Sequence, residues 1–121
     1  MLVNVMNQIK HGYKAVVSTR EFRWFIAELE IPDDAQVIHT DFNYYRTDKV
    51  IPRCFYTGKH TIHTESQARS WFNRDFKYEL NSLLTSELNM NKQLNCAAGI
   101  HFFETFEQAV CWGVINVGRE G

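Results

Sequence analysis

A basic excess is the first thing this chain lacks. Thirteen Lys and Arg stand against 14 Asp and Glu, a formal net charge of −1, so nothing in the balance can neutralise a long run of phosphates and extended nucleic acid is set aside as a partner. Long apolar runs are missing too. No stretch approaches the ~20 residues that a helix needs to cross a bilayer, which sets aside a membrane partner. The start, Met1-Leu2-Val3-Asn4-Val5, has no charged lead-in to a sustained apolar segment. Cysteine is sparse: Cys54, Cys96 and Cys111 leave one thiol over in any pairing scheme, which fits a reducing, cytoplasmic setting. Proline occurs only at Pro32 and Pro52, and no repeat, low-complexity tract or Gly/Ser/Pro-rich linker divides the chain.

What is present suits one domain over residues 1–121. With 45% hydrophobic and 14% aromatic residues the chain can fill a single core. Tyr13-Lys14-Ala15-Val16-Val17 is a β-branched run after Gly12 and predicts a first strand. Phe22, Phe25, Ile26 and Leu29 match a helix face behind Ser18-x-x-Glu21, while Phe25, Ala27, Leu29 and Ile31 alternate with Glu28 and Glu30. The alternation runs up to Pro32, so a strand is preferred, with a turn at Pro32-Asp33-Asp34. Gln36 to His39 suits a third strand, and Asp41 to Lys49 looks like an exposed segment. Val50 to Tyr56 reads as extended, with Pro52 placing it at a sheet edge.

Thr64-Glu65-Ser66-Gln67 has the form of a capping box and predicts a short helix with Ala68, Trp71 and Phe72 inward. Asn73 to Asn95 stays open between a helix through Leu80, Leu83, Leu84 and Leu88 and a strand at Phe76 to Leu80. The densest signals lie in Cys96 to Trp112. Gly99 precedes the apolar run Ile100-His101-Phe102-Phe103, and Thr105-Phe106-Glu107-Gln108 is a second capping box, so a helix is expected from Phe106 with Phe106, Ala109, Val110 and Gly113 on one face. Gly113 to Val117 is expected to be a final strand and Gly118 to Gly121 to fray. The fold class that follows is α+β: a small β-rich single domain with a mainly antiparallel sheet and one to three short helices.

Chemistry-bearing residues fall in two places. His101 alternates with Ile100 and Phe102, so it points away from both, free to meet a phosphate or ribose or to rest as a hydrogen-bonded histidine at the sheet surface. Trp112 could stack on a base or simply cover the core. Tyr44, Tyr45, Arg46, Lys49 and Arg53 interleave rings and cations, the composition that holds phosphates by charge and bases by stacking, and equally that of a solvated loop. Cys96, His101 and Cys111 match no zinc spacing, and no orienting third group completes a Cys–His nucleophile. Neither a metal site nor a catalytic residue is assigned.

The block Cys96-Ala97-Ala98-Gly99-Ile100-His101-Phe102-Phe103 with Ala109 resembles an uncharacterised domain of large DNA viruses and phages, often found beside pentapeptide repeats. Leu29 to Ala35, Arg46 to Tyr56 and Phe76-Lys77-Tyr78 resemble further parts of that domain in order. The resemblance implies a viral or phage origin, and with it the cytoplasm of a host cell, without an established activity. A more distant resemblance is to ADP-ribosyltransferase folds, with His101 at a strand tyrosine and Trp112 at the aromatic that stacks on nicotinamide. The expected function is therefore a non-enzymatic viral or phage accessory domain that sequesters a small nucleotide-type ligand or a host defence protein, with no cofactor. The alternatives are an ADP-ribosyltransferase-like enzyme using NAD, and a structural module in which the Val50 to Tyr56 edge pairs into a homo-oligomer.

Overall fold

A computed structural model describes residues 9–20, 23–71, 73 and 75–117. Its centre is an antiparallel pair, β1 (His11–Ser18) and β2 (Trp24–Glu30), with Val16 opposite Phe25 and Ala15 opposite Ile26. Because successive side chains take opposite faces, Val16, Phe25, Ala27 and Leu29 build one apolar surface and Ala15, Trp24 and Ile26 the other. Both faces must then be covered.

Among the described residues the sheet around this pair has six strands in the order β7-β6-β1-β2-β5-β8, where β5 is Lys49–Tyr56, β6 Gln67–Arg69, β7 Lys77–Glu79 and β8 Leu84–Thr85. A second sheet of three strands, β3 (Val37–His39), β4 (Tyr45–Thr47) and β9 (Ile100–Phe102), brings Val37, Ile100 and Phe102 onto the first apolar face. Every ladder is antiparallel. The two sheets join where Tyr13 and Phe103 exchange both main-chain hydrogen bonds, at 2.8 and 2.7 Å. The helix α1 (Phe106–Asn116) covers the other face through Phe106, Ala109 and Gly113. Its N-terminus carries both bonds of the capping box, Gln108 N–H to the Thr105 hydroxyl and Thr105 N–H to the Gln108 side chain.

Several expectations are corrected. The Thr64 to Gln67 signature starts no helix. Ala68 is buried as anticipated, but from β6, where it pairs with Ser18 on one side and Tyr78 on the other, and two ladders outweigh one cap; Phe72 lies outside the described residues. Gly113 to Val117 is not a strand, since α1 runs on through Asn116 with Val114 43% and Ile115 75% exposed and no neighbouring strand among the described residues to receive them. Their β-branched character is overruled by a helix that is already capped and seated. Asn73 to Asn95 resolves toward the strand alternative at β7, and the described part contains no helix. Gly118 to Gly121 lies outside the described residues.

Asp41 to Lys49 is not an exposed loop throughout: it contains β4, in which Arg46 and Thr47 are fully buried. Nor is β5 the outermost strand. β8 pairs with Lys49 and Val50, Asn81 N–H bonds Pro52 C=O at 2.8 Å, and His63 N–H bonds Phe55 C=O at 2.8 Å. The ladder with β2 slips at Pro52, where Cys54 faces Glu28, Pro52 faces Leu29 and Arg53 is left out of register, so the missing N–H falls at a bulge.

Gly113 lets α1 approach the sheet. A Cβ there would stand 2.8 Å from the Trp24 ring, and that ring is itself buried. Replacing a helical glycine gains up to ~1 kcal/mol in propensity, whereas overpacking costs roughly 1–3 kcal/mol. For a branched side chain the clash wins. Gly113→Val should lose about 2 kcal/mol in urea unfolding; an unchanged midpoint would show that the helix does not depend on this approach.

Candidate functional site

Partition of the outer edge of β1 creates the site. Phe103 takes that edge at Tyr13 and β6 takes it at Val17 and Ser18. Between them the edge opens on a cavity of about 430 Å³, lined from the strands by Lys14, Ala15, His101 and Phe103, from α1 by Trp112 and Asn116, and from loops by Tyr44, Ser70, Trp71 and Cys96. A second hollow of about 460 Å³ adjoins it, sharing Lys14, Ser70, Cys96 and His101. No carboxylate is among the described residues that line either one.

The Lys14 ammonium donates to the His101 carbonyl oxygen at 3.0 Å. Among the described residues it has no ion-pair partner. Burial without a countercharge pushes its pKa down to about 8, which leaves it mostly protonated at neutral pH. His101 is pushed down to about 4, first by burial and then by the Lys14 charge, with a smaller push from Arg46, against the hydrogen bond to Ala97. That bond joins His101 Nε2 to the Ala97 carbonyl oxygen at 2.9 Å. A carbonyl only accepts, so Nε2 carries the proton and Nδ1 keeps a lone pair. Tyr44 stacks on the imidazole at 4.9 Å between centroids and meets Phe103 edge-on at 6.3 Å. The cavity thus combines one cation, one neutral imidazole and several rings.

Of the residues singled out from sequence, His101, Trp112 and Tyr44 line this one cavity. The other four are elsewhere. Tyr45 is on the opposite side of β4 from Arg46 and stacks on His39 at 4.5 Å and Phe102 at 5.3 Å. Lys49 pairs with Asp34 at 2.7 Å, and Arg53 with Glu30 at 2.7 Å and with Asn81. Arg46 is fully buried, its guanidinium donating to the carbonyls of Leu94 at 2.7 Å, Asn91 at 2.6 Å and Asn89 at 3.0 Å. It fastens the loop that carries Asn95 and Cys96 into the cavity wall. Gly99, at φ +136°, passes close to it, since a Cβ there would lie 3.2 Å from Arg46 Cβ. Among the described residues no three of His, Cys, Asp and Glu gather as a metal would require.

Lys14 and the loop residues Ser70, Trp71 and Asn95 escaped the sequence reasoning. For Lys14 a signal existed: a lysine interrupts the apolar and aromatic run Tyr13 to Val17.

The family comparison bears on the same region. The chain belongs to DUF5758, a family of unknown function. The DUF5758 match covers residues 4–109, which include β1 to β9 and the capped start of α1, with Trp112 and Asn116 beyond it. No curated protein and no solved structure matches the chain. No helix among the described residues of this DUF5758 chain is long and apolar enough to cross a membrane.

Two measurements follow from the site's electrostatics. Arg46→Met strands three carbonyls and should cost roughly 3 kcal/mol of stability, with faster amide exchange over 89–98; an unaltered exchange pattern would refute its fastening role. For His101 the folded pKa lies below the unfolded one, so between about 6.5 and about 4 the unfolded chain binds more protons and stability falls as the pH drops. His101→Gln should flatten that part of the stability profile, and the His101 ring resonances should titrate near 4. Titration near 6.5 would contradict the burial described here.

Proposed function

We propose that this domain binds a small, planar, anionic ligand of nucleotide type and does not transform it. The observation that carries this is the Lys14 ammonium, with no carboxylate beside it among the described residues, in a cavity walled by Tyr44, Phe103 and Trp112. A cation in such a partly dry place attracts phosphate more strongly than one in water. Aromatic walls add ~1–3 kcal/mol per stacked base. Ground-state binding of this kind suits a protein that withholds a signal, because sequestration needs affinity and no stabilised transition state.

The likeness of the Cys96 to Phe103 block to viral and phage domains supports placing this activity in the cytoplasm of an infected host, with a nucleotide defence signal as the quarry. A host defence protein is the competing partner. His101 and Trp112 on one cavity also favour an NAD-using enzyme. The carboxylate that such chemistry would use is absent from the described lining, so binding is preferred.

Calorimetry with AMP, NAD and a cyclic dinucleotide tests this. At least one should bind, with Lys14→Met and Trp112→Ala each weakening it tenfold or more while the unfolding midpoint holds. Heats at the blank level for all three would discard a nucleotide ligand, and consumption of NAD would establish the enzymatic alternative instead.

A further inference from the structure

Main-chain alternation along β1 singles out one residue in the cavity. In an antiparallel strand the N–H and C=O of one residue face one neighbour, and those of the next residue face the other. Ser18 N–H bonds Arg23 C=O and Ile31 N–H bonds Lys10 C=O, so the even-numbered residues of this stretch turn toward β2. The odd-numbered ones turn outward. Tyr13 spends both groups on Phe103, and Val17 is paired with Arg69 of β6. Ala15 lies between them, with its N–H and C=O directed at the opening. Among the described residues nothing hydrogen-bonds either group, although Ala15 is only 4% exposed and lines the cavity. Buried main-chain donors and acceptors are nearly always paired, so the geometry calls for a polar occupant.

The occupant is not another strand. Phe103 and Arg69 hold the edge two residues away on either side, a span of roughly 13 Å at ~3.3 Å per residue, and an added strand would run into both. One flat group fits. We infer that the Ala15 main chain reads the edge of the ligand, its N–H donating to a ring or amide acceptor and its C=O accepting from an adjacent N–H, as offered by a nucleobase such as adenine or by an aromatic carboxamide. This rests on the nucleotide proposal above and names how the base end is recognised. The preceding residue of the strand, Lys14, then faces the anionic end.

The test uses the full chain labelled with 15N and two ligand pairs that differ in the donor: AMP against N6,N6-dimethyl-AMP, and nicotinamide mononucleotide against nicotinic acid mononucleotide. The donor-bearing member of at least one pair should bind at least tenfold tighter by calorimetry, shift the Ala15 amide resonance downfield and slow its hydrogen exchange at least tenfold. Binding that leaves the Ala15 amide unmoved, or equal affinity within both pairs, overturns the main-chain readout while the nucleotide proposal stands. Absence of binding by all four compounds overturns both.

Discussion

A buried positive charge with no countercharge among the described residues governs this structure. The Arg46 side chain is fully buried, and its two terminal nitrogens donate to the carbonyls of Asn89, Asn91 and Leu94, while its Nε has no partner among the described residues. Hydrogen bonds to a charged group are among the stronger ones a protein makes, and these act across more than 40 residues of sequence. They fix a loop that contains no helix or strand between β8 and β9. Once that loop is held, Tyr44 can bond Asn95 and receive the Cys96 N–H, and the imidazole of His101 can rest against Ala97. The cavity wall follows from the charge. The same charge adds to the field that keeps His101 neutral.

A second constraint shapes the opposite wall. β1 serves two partners on one edge, Phe103 near its start and β6 near its end, and the small sheet is thereby tied to the large one. Neither partner reaches Lys14 or Ala15. The gap is closed from the side by α1, which is turned back onto the sheet immediately after Phe103 by the Thr105 cap and allowed close by Gly113. Cation, imidazole, rings and an idle stretch of main chain therefore meet in one place because strand pairing is incomplete there.

Local signals were legible where a single stretch of chain carried the whole cause. Alternating residues at 24–30, the Pro32 turn, the Gly99-led strand and the Thr105 capping box all announce structures whose stabilising partners lie within a few residues. The Thr64 signature failed because the strand pairing that competes with it needs Ser18, which lies far away in sequence, as well as Tyr78. Val114 and Ile115 misled for the related reason that β propensity counts only where a neighbouring strand exists. In the basic segment, spacing on the page could not say that Arg46 would be buried, Lys49 and Arg53 bound to carboxylates, and Tyr44 alone turned to the cavity.

By itself, then, the order of residues determined a β-rich chain closed by a capped helix, with an imidazole facing away from its apolar neighbours, because alternation and capping are short-range effects. Tertiary structure alone decided which charges were spent on the fold and which one was left beside a cavity. Burial and pairing depend on partners 15 to 87 residues distant, such as Asp34 for Lys49, Leu94 for Arg46 and His101 for Lys14, and no local pattern encodes those distances.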